Sequence, residues 1–133
     1  MSITIPEKGS AEFKAVLGEM GKKVLEALGP TSPDLARLLV EYPFGEIYSR
    51  PGLDLRTREL VAIGVLAALG TARPQLEMHI RGALKVGCTR EEVVEVLLMM
   101  TVFAGFPAAL NGVDAARKAF QDDDIIAREE KNS

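Results

Sequence analysis

Among 133 residues the sequence has one cysteine, one histidine and no tryptophan, and aromatic side chains make up only 5%. The lone thiol, Cys88, cannot close an internal disulfide, which fits a reducing compartment. The sequence shows no cluster of residues with metal-ligand spacing. The chain also lacks a phosphate-cradling glycine loop and a Ser-His-Asp signature, so no metal and no cofactor are expected. Without tryptophan, aliphatic side chains and methionine must fill the interior. Basic charge is short as well: 16 Lys and Arg against 19 Asp and Glu leave a net charge of −3. Nucleic-acid binding needs a basic footprint, so that class is set aside. The opening Met1-Ser-Ile-Thr-Ile-Pro-Glu-Lys8 has neither a basic nor an apolar signal region, and the expected location is the cytoplasm. Long hydrophobic runs are missing too. The uncharged stretch 60–72 is well below the roughly 20 residues a membrane span takes. The stretch 96–113 is interrupted by Thr101, Gly105-Phe106-Pro107, Asn111 and Gly112. Both read as buried core, and no membrane partner is expected.

What is present is helical periodicity in every segment long enough to judge, with no clean strand-like alternation. Ser10 is placed to cap a first helix with the stripe Phe13, Val16, Leu17, Met20, Val24, Ala27 and Leu28, stopped at Gly29-Pro30. A short helix opens at Pro33-Asp34 with Leu35, Leu38, Leu39 and Tyr42 on one side. Pro43 breaks it and leaves a turn through Ile47 and Tyr48, followed by the loop Ser49-Arg-Pro-Gly52. Asp54 or Thr57 can cap a third helix that runs through Glu59 to Leu69 and ends at Gly70. Apolar all round after Glu59, it is expected at the centre of the fold. Pro74 starts a fourth helix closed by Gly87, and Thr89-Arg-Glu-Glu92 is a capping box opening a fifth. After the break at Gly105-Phe106-Pro107 a sixth helix points Leu110, Val113, Ala116 and Phe120 inward. These elements make one compact all-α domain of about six helices over residues 1–121, with a charged, flexible tail over 122–133. Two helices with apolar residues on nearly every face are many for so small a domain, so part of that surface is expected to meet another subunit.

His79 is the one side chain whose ordinary pKa lies near neutrality, and on the fourth helix it points toward the stripe of Leu76, Ile80 and Ala83. An imidazole there is either a satisfied core residue or a proton carrier beside a polar pocket. Glu59 can complement its own helix end, or it can meet His79 across adjacent helices and fix its tautomer. Arg81, two residues after His79, points about 200° away around the helix and is matched by Glu77 four residues earlier. A pocket shared between subunits could still use Arg81. Arg56 and Arg58 are alternative anion binders, and Cys88 reads as a small filler in a turn.

Five short segments in order add a further reading. They are Leu53-Asp-Leu-Arg-Thr-Arg-Glu-Leu-Val61, Leu66-Ala-Ala-Leu-Gly70, Leu76-Glu-Met-His-Ile-Arg-Gly-Ala-Leu84, Val86-Gly-Cys-Thr-Arg-Glu-Glu-Val93 and Val102-Phe-Ala-Gly-Phe-Pro-Ala-Ala109. Together they resemble the carboxymuconolactone decarboxylase family. The related alkyl hydroperoxidase D proteins would imply a Cys-x-x-Cys just ahead of the histidine. Here Gly70-Thr-Ala-Arg-Pro-Gln75 holds no cysteine, which excludes a disulfide-relay peroxidase. The resemblance implies the helical fold of that superfamily, a homotrimer or homohexamer, and a cofactor-free decarboxylase acting on a small carboxylated lactone or keto acid. Carboxylate loss from such a lactone leaves a dienolate conjugated with the ring carbonyl, so the substrate is its own electron sink. It further implies His79 as the proton-transfer residue with Glu59 as its partner, Arg81 toward the substrate, and Phe103, Phe106 and Pro107 as the apolar wall. Phe103 and Phe106 stand where family members would carry a tyrosine and a smaller apolar residue, which bears on substrate choice. A non-catalytic oligomeric binding protein on the same scaffold is the alternative function.

Overall fold

The computed structural model describes residues 3–133; Met1 and Ser2, the start of the segment searched for a secretory signal, lie outside them. Seven α-helices and one π-helical turn hold most of the described residues, and none of these residues is in a strand. The chain forms two compact units, the first ending at Arg58 and the second running from Glu59 to Ser133.

In the first unit the expected opening helix is two: α1 (Ser10–Val16) and α2 (Gly18–Leu28). Gly18 sits at φ 53°, a left-handed conformation that only glycine adopts freely, and it breaks the helical phase. Downstream of it Gly21 and Leu25 are buried, while Ala27, expected inward, is exposed. Gly9, not Ser10, precedes the first turn. At φ 83° it lies so close to the backbone of residues 40–45 that a Cβ would stand 2.5 Å from the Val40 carbonyl oxygen and 2.6 Å from the Gly45 nitrogen.

Helix α3 (Pro33–Glu41) is capped by the Ser32 hydroxyl, which accepts from the Leu35 amide at 3.2 Å. Its buried residues are Ala36 and Val40, and the expected stripe is reversed: Leu35, Leu38 and Tyr42 are about half exposed or more. Small Ala36 lets α3 approach its neighbours, a choice that counting large apolar residues does not register. Pro43 does break the helix, into a π turn (Pro43–Ile47) whose end is closed by the Tyr48 amide on the Pro43 carbonyl at 2.7 Å. Phe44 from that turn stands edge-on to Phe13, centroids 5.4 Å apart, and anchors this unit's core.

In the second unit α5 (Arg73–Lys85) and α6 (Arg90–Phe103) pack chiefly against α7 (Phe106–Lys131), and α4 (Leu55–Leu69) adds Ile63 and Ala67 to their core. The shared interior holds Leu76, Ile80, Ala83, Val93, Leu97 and a row of alanines from α7. Gly112 lets α7 lie close: a Cβ there would meet Leu97 at 2.7 Å and Ala67 at 3.6 Å. The stops are those the sequence suggests. Gly87, at φ 105°, lets the Cys88 amide reach the Ala83 carbonyl at 2.9 Å and the Gly87 amide reach Leu84 at 3.3 Å, a Schellman closure. Thr89 and Glu92 form both bonds of the capping box.

Two expectations about α7 are corrected. Its inward face is Ala109, Gly112, Ala115, Ala116 and Ala119, so Ala116 faces the core, but Leu110 and Val113 are exposed and Phe120 is only partly buried. The segment after Gln121, expected as a flexible tail, continues the helix to Lys131. Arg90 at the start of α6 holds it, donating to Asp124 at 2.6 Å and Asp123 at 3.3 Å and lying 4.9 Å over the Phe120 ring.

The apolar third helix of the sequence is central on one face alone. Glu59, Ile63 and Ala67 are buried at four-residue spacing, while Val61, Val65 and Leu69 are more than half exposed. Among the described residues no helix is long and apolar enough to cross a membrane.

Candidate active site

Helix α4 begins at Leu55, capped by Asp54, whose carboxylate accepts from the Thr57 amide at 2.8 Å. Hydrogen bonds from Thr57 hold the Asp54 carboxyl below its ordinary range. This start makes Glu59 the fifth residue of the helix, beyond the turn of free amides. Its carboxylate instead reaches α5. Nδ1 of His79 lies 2.8 Å from Glu59 Oε2 and 3.2 Å from Oε1. Glu59 is completely buried, whereas the His79 side chain keeps 19% exposure. The acid is therefore enclosed and the ring sits at the boundary.

An ionised carboxylate can only accept, so with Glu59 charged Nδ1 carries the hydrogen and Nε2 is left to exchange a proton with a bound molecule. Glu59 shares its face of α4 with Ile63 and Ala67, and His79 flanks the stripe of Leu76, Ile80 and Ala83 on α5. Aliphatic core side chains thus share these helix faces with the polar pair, and no buried side-chain nitrogen or oxygen among the described residues lacks a hydrogen-bond partner.

The other sequence candidates are placed differently. Glu77 does not pair with Arg81. Arg73, four residues before Glu77, takes it at 2.8 Å and also binds Asp114 of α7 at 2.7 Å. Arg81 is half-buried and makes no ion pair or hydrogen bond among the described residues. Phe103 and Phe106 are 76% and 68% exposed at the corner between α6 and α7, with Pro107 also exposed. Arg58, weighed as an anion binder, donates to the carbonyls of Arg50 at 3.1 Å and Leu53 at 3.2 Å and lies over the Tyr48 ring. Cys88 is buried in the core beside the Schellman turn. The Arg73–Asp114 bridge escaped the sequence reading. Its local half, Arg73 four residues ahead of Glu77, was visible; the partner on α7, 41 residues away, was not. Among the described residues no group of three or more His, Cys, Asp and Glu side chains is placed to hold a metal ion.

The model of the carboxymuconolactone decarboxylase family matches residues 33–118. The chain belongs to this family. It is 38% identical over 108 residues to the 4-carboxymuconolactone decarboxylase of Acinetobacter baylyi, covering 80% of each chain. It is 34% identical over 113 residues to a 15.0 kDa protein of Paracoccus denitrificans, covering 84% of this chain and 82% of the relative. The nitrosuccinic acid decarboxylase of Metarhizium robertsii is 30% identical over 117 residues, covering 87% of this chain and 81% of that protein. The match to the family model takes in α3 to α7 as far as Lys118, including the Glu59–His79 pair. Membership and the two decarboxylases among its relatives support a decarboxylase kind of activity for this carboxymuconolactone decarboxylase family protein.

Proposed function

We propose that this protein is a cofactor-free decarboxylase of a small carboxylated acid or lactone, with His79 as the proton-transfer residue and Glu59 as the group that orients it. The observation that carries the reading is the bond between His79 Nδ1 and the buried Glu59 carboxylate, within a family two of whose named members are decarboxylases. The two named substrates share one chemical property. Each can hold the electron pair left by carbon dioxide on oxygen, through a conjugated ring carbonyl in 4-carboxymuconolactone and through the nitro group in nitrosuccinic acid. The protein's part is then to seat the departing carboxylate in apolar surroundings, stabilise the developing oxyanion and return a proton to carbon. His79, oriented through Nδ1, would deliver that proton from Nε2. Phe103, Phe106 and Pro107 would supply the apolar wall once a second copy covers their exposed corner, in a homotrimer or homohexamer.

The test is carbon dioxide release from 4-carboxymuconolactone and from nitrosuccinic acid by the purified protein, with His79→Asn alongside. Asparagine places an amide nitrogen near the position of Nδ1, so the bond to Glu59 is kept while Nε2 is removed. Turnover of either acid that falls at least about 100-fold in the variant supports the assignment. Unchanged turnover in the variant would remove His79 from the reaction. Saturable binding without turnover would identify the non-catalytic binding protein instead.

A further inference from the structure

We propose a second activity for the Glu59–His79 pair: isomerisation of an unsaturated lactone that carries hydrogen where a decarboxylase substrate carries its departing carboxylate. This rests on the decarboxylase reading for the identity of the ring, whereas the base stands on the geometry of the pair. Nδ1 of His79 lies 2.8 Å and 3.2 Å from the two oxygens of Glu59. With Glu59 ionised, the Nδ1 hydrogen is directed at it, and Nε2 of the neutral ring presents a lone pair. The carboxylate is enclosed while the ring keeps 19% exposure, so a bound molecule meets the ring and not the acid. An imidazole in this state is a base. It becomes an acid only after taking up a proton.

A group that returns a proton to carbon becomes, in doing so, the base that can take it back. In the decarboxylation the bond from the γ-carbon to the carboxylate breaks and carbon dioxide leaves. The electron pair passes through the ring double bond to the carbonyl oxygen, and the dienolate collects a proton at the α-carbon. With hydrogen in place of the carboxylate, the same dienolate forms by proton removal. The γ C–H bond breaks, the proton goes to Nε2, and the electron pair again ends on the carbonyl oxygen. The imidazolium so formed lies against the Glu59 carboxylate, which carries the opposite charge.

Nε2 then gives the proton to the α-carbon, the carbonyl re-forms, and the double bond is left between the β- and γ-carbons. Nothing is oxidised or reduced; one hydrogen has moved from γ to α. A single ring atom separates those two carbons, so one imidazole can serve both from the same face. The sequence offers no second histidine, and Cys88 is buried in the core.

The probe is racemic muconolactone, which is 4-carboxymuconolactone with hydrogen in place of the departing carboxylate, followed by proton NMR in a buffer free of imidazole. With the purified parent protein the γ-proton signal should vanish and a saturated α-carbon should take its place. His79→Asn keeps a donor to Glu59 but lacks Nε2, and should lose at least about 100-fold of this rate. The sole histidine also permits a check in the folded parent without any variant. Carbethoxylation of His79 with diethyl pyrocarbonate should abolish the isomerisation, and hydroxylamine should restore it. Muconolactone left unchanged by the parent overturns the proposal, as does isomerisation that persists in His79→Asn or after complete carbethoxylation. The carbon dioxide assay separates the two readings. Carbon dioxide release without isomerisation overturns the second activity, assigns the proton on carbon to water and leaves the decarboxylase standing. Isomerisation without carbon dioxide release removes the decarboxylation and upholds the base.

Discussion

Deleting the His79 ring and deleting its proton-transfer atom are two different perturbations, because Nδ1 serves a carboxylate that no solvent reaches. His79→Ala withdraws that donor and should lower stability by about 1–3 kcal/mol whatever the catalytic role. His79→Asn retains a donor and should unfold within a few degrees of the parent; thermal unfolding of the two variants side by side checks the difference. Glu59→Gln keeps volume and an accepting oxygen but removes the charge that supports an imidazolium. It should fold and lose less turnover than His79→Asn, and a variant as active as the parent would strip Glu59 of any part beyond packing. Of the site, the residue types and their helical phase were legible in the sequence, and so was the possible meeting of Glu59 with His79. The competing partnership of Glu77 was not. It depends on Asp114, 41 residues from Arg73, and no local spacing reveals which of two arginines a carboxylate will take.

At the scale of elements, the helix ends were the most readable parts. Gly70, Gly87 and Gly105 adopt positive φ where the sequence reading stops helices, and the Thr89–Glu92 box forms as its spacing suggests. Faces were less readable. On α3 the buried side is Ala36 with Val40 and on α7 it is Ala109, Gly112, Ala115, Ala116 and Ala119, while Leu35, Leu38, Leu110 and Val113 face outward. Ranking residues by hydrophobicity selects the larger side chains and reverses the face wherever close packing calls for small ones. The charged end of α7 misled for a related reason: its composition resembles a solvated tail, yet Arg90 gathers Asp123 and Asp124 onto α6. Arg90→Ala should speed amide hydrogen exchange over residues 121–131 and leave the α5 amides nearly unchanged. Acid should act in the same direction. The Arg90 hydrogen bond, with its charge adding less, holds the Asp124 carboxyl below its ordinary value of 3.8. A carboxyl lowered on folding stabilises above its unfolded value and loses that contribution as pH falls through the folded one. Protection of these amides, measured against their intrinsic exchange rates at each pH, should therefore fall below about pH 4, within a partly exposed pair whose effect is modest.

At the scale of the whole molecule, the large apolar residues that face outward on α4, α6 and α7 are those the sequence reading assigned to core or to a second subunit. Light scattering of the purified parent should give a mass of three or six chains, and Val65→Asp with Leu110→Asp should reduce it. An unaltered mass in that double variant would place the contact elsewhere. The complete burial of Glu59 has a consequence for descent as well. A lineage that loses His79 first carries an enclosed carboxylate without this donor, and one that loses Glu59 first carries a histidine with no acid to hold its ring. Both single steps pass through a handicapped intermediate, because a buried polar group that loses its partner is costly. The two positions should therefore be inherited as a unit, and descendants that abandon the chemistry should have exchanged both.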